Sequence, residues 1–365
     1  MKITCDRAAL SEALSAVAGV VATRTPKPIL QCVRLSAAGE KVILLGTDLE
    51  VGIRYVLGEV SIAEPGEVLV PADRVAAIVR ESADQTLELE SADHGCRVRG
   101  QDSEFRVFGQ DPREFPPVGE LEGQADLTVK AGTLGELIER TLFAAARENT
   151  RYAINGVLWQ KRAKKLQLVA TDGRRLAWTS GPLEQSQGQD GDVIVPTRAM
   201  TLIKRMLSEP DELVRVKLLA NQILVAGARA TISSVVVEGR FPKYEDVIPR
   251  ESDKKVCFET ARLLSAVRRA ALLTTAESKG IRLAFGDGQV VFSSRAPEAG
   301  EAEVRMQIDY SGQPLEIGFN PAYLIEALRV AGSETVSFEL TEPSKPGLLR
   351  AGPNFLYVVM PVSLA

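Results

Sequence analysis

The chain has 365 residues, 45% apolar and 25% charged, a balance that supports large buried cores and two or three domains rather than one. No apolar run reaches the roughly 18 residues of a membrane span, and Asp6 and Arg7 interrupt the stretch where a secretory leader would be apolar, so a soluble cytoplasmic protein is expected. The net charge of −4 by itself argues against a nucleic-acid partner, because phosphate binding leaves a basic imprint on a domain. Cys5, Cys32, Cys96 and Cys257 show no C-x-x-C spacing and no histidine cluster beside them. Reduced, mostly buried thiols are therefore expected, with no zinc site. His94, the only histidine, lies in the polar turn SADHG, a poor setting for a triad and an ordinary one for an exposed loop residue.

In chain order the predicted elements come in three rounds. ITCDRAALSEAL runs from a short strand into a helix over 6–19; VILLGTDLEVGIRYVL reads as a hairpin; VPADRVAAIV enters a helix over 72–81. After the connector REFPPVGELEG the order recurs. LTVKAGTLGELI leads into a helix over 131–146, LQLVATDGRRLAWTS forms a hairpin, and VPTRAMTLIKRM a helix over 197–207. A second connector, GRFPKYEDVIPRESD, precedes VCFETARLLSAV (helix 261–272), QVVFSSRAPEAGEAEVRM (hairpin) and FNPAYLIEALRV (helix 320–330). Leu10, Leu134 and Leu263 are equivalent, and Pro71, Pro196 and Pro321 recur at intervals of 125 residues, each at a helix entry where its missing N–H costs nothing.

The expected fold is α+β, with three repeated domains at 1–120, 127–249 and 254–365, each carrying two helices on antiparallel sheets. Units this large own a core, so an arc or a ring is expected rather than a solenoid. Twelve helices in a dimer, spaced about 9–10 Å, put their axes on a circle roughly 35–38 Å across. Removing one helix diameter leaves a bore of about 25–28 Å, enough for hydrated duplex. Charge follows the same division. The helix over 197–207 carries Arg198, Lys204 and Arg205, and that over 261–272 carries Arg262, Arg268 and Arg269. The helices together are net positive, so strands and loops hold an acidic excess, and a positive lumen attracts phosphate without reading bases.

One enzymatic reading uses Asp48 and Asp172, which follow equivalent strands, as acid, base or metal ligand of a carboxylate-dependent hydrolase. Stacking Thr47–Asp48 on Thr171–Asp172 continues to Ser294–Arg295, where the charge reverses, which favours turn chemistry.

RYAINGVLW, VATDGRRLA, GRFPKYEDVIP and the terminal YVVMPVSL together resemble the bacterial DNA polymerase III β subunit family, the β sliding clamps, over the whole chain. The resemblance implies a DNA-clamp fold, a head-to-tail homodimeric ring around double-stranded DNA, and neither catalytic site nor cofactor. It implies an apolar cleft for short motifs of replicative polymerase, clamp loader and repair proteins at Arg151, Ile154, Thr171, Gly173, Arg174, Arg175, Leu176, Pro242, Val247, Val358, Met360, Pro361 and Val362. Ala153, Arg174 and Ser363 depart from the family pattern, which bears on peptide preference. DNA contacts are implied for Arg24, Arg80, Tyr152, Arg198, Arg205 and Lys279, with Asp246 locally weakening the field. The dimer seam is implied at Leu272, Leu273, Phe105 and Val107, with Glu298, Glu301 and Glu303 facing Arg74 of the second copy, and with Asp102 and Glu104 unexpectedly acidic. A peptide-binding scaffold that never meets DNA shares the cleft but not the ring.

Overall fold

Each repeat opens on a short strand that runs directly into a helix, and the same register of residues buries all three of these helices. In the computed structural model, which describes residues 1–92, 94–147, 153–275 and 280–363, they are α1 (Arg7–Ala18), α3 (Ala131–Leu142) and α5 (Thr260–Ala270). Leu10, Ala13, Leu14 and Val17 of α1 correspond to Leu134, Leu137, Ile138 and Thr141 of α3 and to Leu263, Ala266, Val267 and Ala270 of α5, all of them buried. Thr141 is the polar exception, and its hydroxyl donates to the Leu137 carbonyl at 2.8 Å, so nothing polar is left stranded in the core. The second helices are α2 (Ala72–Glu81), α4 (Thr197–Met206) and α6 (Pro321–Val330).

Caps set the ends. The Asp6 carboxylate accepts the Ala9 amide at 2.9 Å, and the Asn320 side chain accepts the Ala322 amide at 3.0 Å, with Pro321 in the first turn. Two helices end two or more residues sooner than the sequence pattern predicts. α3 stops at Leu142 instead of 146 because the amides that follow bond elsewhere, Ala144 and Ala145 to the carbonyls three residues back and Ala146 to the Ile154 carbonyl at 3.0 Å. α5 stops at Ala270 and tightens into a 3-10 turn over Ala271–Leu273.

The chain divides into two compact units that both draw on the middle repeat. Unit 1 comprises Met1–Gly135, Leu183–Gln189 and Arg198–Val236, and unit 2 comprises Glu136–Pro182, Asp190–Thr197 and Val237–Ala365. Unit 1 holds a five-stranded and a nine-stranded antiparallel sheet; unit 2 holds an eight-stranded and a four-stranded one.

A single joining rule operates in each unit. In unit 1 the hairpin Lys41–Thr47/Val51–Leu57 of the first repeat pairs onward with Ala230–Val235, the last strand of the second repeat, with Val51 opposite Ser234. In unit 2 the hairpin Lys165–Thr171/Arg175–Pro182 pairs onward with Phe355–Val359, the last strand of the third repeat, with Arg175 opposite Val359. The third repeat's hairpin, Gln289–Ala296/Gly300–Gln307, ends its sheet with Gly300–Gln307 at the edge, and the first repeat's last strand, Glu104–Phe108, is the edge of its own sheet.

Candidate functional site

The turn after Lys165–Thr171 is built by its first two side chains. The Thr171 hydroxyl donates to the Arg175 carbonyl (2.6 Å) and accepts the Gly173 amide (3.1 Å), while Asp172 Oδ1 accepts the amides of Arg174 (2.9 Å) and Arg175 (3.1 Å). The turn at Thr47 and Asp48 repeats this bond for bond with Val51, Leu49 and Glu50. Both aspartates are therefore held by backbone amides, and among the described residues no group of three or more His, Cys, Asp or Glu is placed to hold a metal. That is the turn chemistry expected from the stacked pairs. Ser294 departs from it, donating to the Ala270 carbonyl at 2.6 Å.

Strand alternation then sorts the next residues. Leu176 and Val358, directly opposite each other, join a core cluster with Leu158, Val169, Ile194, Tyr244, Leu348 and Leu356, flanked by Trp178, Phe241 and Ile248. Arg175 points the other way. Its guanidinium donates to Asp172 Oδ2 (3.0 Å), to Glu326 of α6 and to the Phe143 carbonyl, and it lies 4.4 Å from the Tyr323 ring centroid and 5.4 Å from that of Phe143. Burial opposes its charge, but the Glu326 carboxylate prevails and holds its pKa above the ordinary arginine value. With its side chain only 9% exposed, Arg175, expected at the cleft, ties the turn to α6.

The other residues expected at the cleft differ in exposure. Met360 is held where its amide donates to the Arg174 carbonyl at 2.9 Å, and Val362 where its amide donates to the Gly318 carbonyl at 2.9 Å. Val247 and Met360 are 50% and 41% exposed; Pro242, Pro361 and Val362 are half-buried; Gly173 and Arg174 are exposed; Thr171 and Ile154 are buried. Tyr244 and Val247 stand three apart in a 3-10 turn, so Val247 continues the face that Tyr244 buries. The Tyr244 hydroxyl donates to Gln160 at 2.7 Å, and its pKa is pushed up to about 12 by burial and by Glu245. Tyr244, Trp178 and Ile248, which the sequence did not single out, belong to the same apolar cluster. Ala153, one of the departures, lies buried in the same cluster, and Ser363 is exposed. Arg151, Tyr152 and Lys279 lie outside the described residues.

The expected DNA-facing cations differ in availability. Arg24 and Arg205 are exposed with no carboxylate partner among the described residues, and Arg80 lies 3.4 Å from Glu81. Arg198 is engaged by Asp48 and donates to the Val20 carbonyl at 2.8 Å. On α5, Arg262, Arg268 and Arg269 are exposed without a carboxylate partner among the described residues. Of the expected seam residues, Leu272 is 76% exposed and Phe105 is exposed, but Val107 is buried at 7% and belongs to unit 1's own core. On that edge strand Phe108 is a further exposed apolar residue, with Arg106 5.6 Å over its ring. Glu301 and Glu303 are exposed and pair within their own chain with Arg295 (3.1 Å) and Arg305 (2.7 Å); Glu298 and Arg74 are exposed.

Three strand–helix repeats whose sheets run on from one repeat into the next define a clamp fold. The sequence matches the DNA polymerase III beta subunit N-terminal domain over residues 1–119, its central domain over 128–243 and its C-terminal domain over 245–363. It is 36% identical over 369 residues to the beta sliding clamp of Pseudomonas aeruginosa and 34% identical over 369 residues to that of Escherichia coli, with all of each chain covered. The crystal structure of the DNA polymerase sliding clamp from Bacillus subtilis superposes with a TM-score of 0.95 at 26% identity, again over all of both chains. The chain belongs to the DNA polymerase III beta subunit family, the bacterial sliding clamps.

Proposed function

We propose that two copies of this chain close head to tail into a ring that encircles duplex DNA and tethers replication proteins by short peptide motifs, without catalysis or cofactor. The three repeats at 1–120, 127–249 and 254–365 serve as its domains, and it works in the cytoplasm. The observation that carries the ring is the joining rule. Each hairpin pairs onward with the last strand of the next repeat, and the two edges left without that partner are Gly300–Gln307 and Glu104–Phe108. Pairing the first edge of one copy with the second edge of another continues the rule, and a heterologous contact of this kind closes when its rotation fits.

DNA is held by charge alone, through Arg24, Arg80, Arg205 and the α5 arginines, with Tyr152 and Lys279 as further candidates. Water-bridged phosphate contacts permit sliding, which a tight grip would forbid. Arg198 contributes field rather than a free hand.

The peptide cleft takes apolar side chains on the floor around Leu176 and Val358, between Val247 and Met360, with Arg174 at the rim. Leu176 is core, so replacing it would test stability rather than binding. Val247→Ala with Met360→Ala changes only exposed side chains, and roughly tenfold weaker binding of a polymerase C-terminal peptide is expected. An unchanged titration curve would remove the cleft assignment.

The decisive experiment loads the protein onto nicked circular DNA with a cognate clamp loader and then linearises the circle. Retention on the circle and release from the linear product are expected. Equal retention on both, or none on either, would favour a scaffold that binds peptides without a topological link.

A further inference from the structure

The junction of the first and second repeats encloses a pocket of about 290 Å3 within unit 1, between α1 and α4 and over strands Val51–Leu57 and Ala230–Val235. Equivalent positions at the junction of the second and third repeats follow from the shared turns and registers, since Tyr55 opposite Ala230 corresponds to Thr179 opposite Phe355. There Arg140, Phe143, Phe355 and Tyr357 occupy the corresponding positions. Arg140 lies 5.6 Å over the Phe355 ring and donates to the Val330 and Ala331 carbonyls at 3.3 and 3.0 Å, and the rings of Phe143 and Tyr357 stand 5.8 Å apart. In unit 1 the residues at the positions of Arg140, Phe143, Phe355 and Tyr357 are Ala16, Gly19, Ala230 and Ile232. Three aromatic rings of the second junction thus have no counterpart here, while Tyr55, Ile53 and Leu202 stand where it has Thr179, Ala177 and Ala327, and the pocket lies among these residues.

Charge selects what the pocket can hold. Glu12 accepts the Tyr55 hydroxyl at 3.1 Å and lies 3.5 Å from Arg229, and Glu212 accepts the Ala228 amide and the Ser208 hydroxyl. Both carboxylates of the lining are thus answered. Arg205, also in the lining, has no carboxylate partner among the described residues.

We propose that this pocket binds a small aromatic monoanion, an aryl carboxylate whose ring lies against Ile53, Leu202 and Ile232 and whose carboxylate meets Arg205. The volume suits a ligand of one or two fused rings, and apolar walls with one placed charge are what such sites use. The proposal is independent of the peptide cleft and shares Arg205 with the cations proposed to face DNA, so its test is made on the chain free of DNA.

Isothermal titration of the full chain with 2-naphthoate and with its neutral analogue 2-naphthamide tests it. Saturable binding of 2-naphthoate is expected, roughly tenfold tighter than 2-naphthamide, the preference a charge-assisted hydrogen bond gives. Arg205→Gln should erase that preference, and Ala230→Phe, which restores one of the missing rings, should abolish binding of both. Equal binding of the two probes, a preference that survives Arg205→Gln, or undiminished binding to folded Ala230→Phe would each overturn it. Arg205 is exposed, so its variant keeps the test readable even if Ala230→Phe does not fold.

Discussion

At residue 49 the backbone takes a conformation that its side chain disfavours. The two Thr–Asp turns are superposable in their hydrogen bonds, and the third position has φ 85° in one, where it is Gly173, and φ 80° in the other, where it is Leu49. A left-handed leucine costs about 1–2 kcal/mol, and Leu49, 51% exposed, recovers little of that by burial. Leu49→Gly should therefore stabilise unit 1 by about 0.5–1 kcal/mol after the glycine's extra chain entropy is subtracted, measured as an upward shift in the denaturant midpoint. The Thr–Asp pairs announce the turn in the sequence. Its third dihedral is not legible there, because leucine gives no sign of it. Thiols show the same division between what residue type declares and what burial decides. Burial pushes the pKa values of Cys5 and Cys96 up to about 12 and that of Cys32 up to about 11, whereas Cys257 is exposed on its strand. An aromatic disulfide reagent at neutral pH should label one thiol per folded chain, Cys257, and the other three only after unfolding; fast labelling of more than one would contradict these burials.

Between elements, two arginines bind the Thr–Asp turns to neighbouring structure, at very different depth. Arg175 is nine-tenths buried, sandwiched between the Phe143 and Tyr323 rings, and bonded to two carboxylates and a carbonyl; Arg198 reaches Asp48 and the Val20 carbonyl with its side chain 46% exposed. Removing one partner of a buried pair strands the other, whereas an exposed pair is screened by water. Arg175→Ala should cost about 2–4 kcal/mol, discounted because Glu326 is partly exposed. Arg198→Ala should cost about 1 kcal/mol or less. Chemical denaturation of the two variants checks the order, and equal losses would show that α6 is not held through Arg175. That Arg175 faces the other side of its strand from Leu176 was readable: Leu176 and Trp178 on one face require 175 and 177 on the other. Which helix awaits it there depends on the third repeat, more than a hundred residues later, and no local pattern carries that. The helix register was legible in all three repeats, because its period is local.

For the whole molecule, the threefold repeat was legible, and which side chains of an edge strand stand in solvent was not. A strand reading E-F-R-V-F gives two apolar sets by alternation, Val107 with Phe105 and Phe108 with Arg106, and only the packed unit shows that Val107 is enclosed while Phe108 stands in solvent. The dimer proposal then makes a discriminating prediction. Leu272→Asp, in the 3-10 turn after α5, and Phe108→Asp, on the edge strand Glu104–Phe108, each change an exposed side chain and should halve the mass seen by light scattering, because a charge cannot be buried in an apolar seam without a partner. Both should lose retention on circular DNA while keeping affinity for a cleft peptide, since Val247 and Met360 are untouched. Val107→Ala should do the reverse, lowering stability by about 1–3 kcal/mol with the dimer intact. If Val107→Ala dissociates the dimer and Phe108→Asp leaves it whole, the edge strand faces its partner with the opposite side from the one assigned to it.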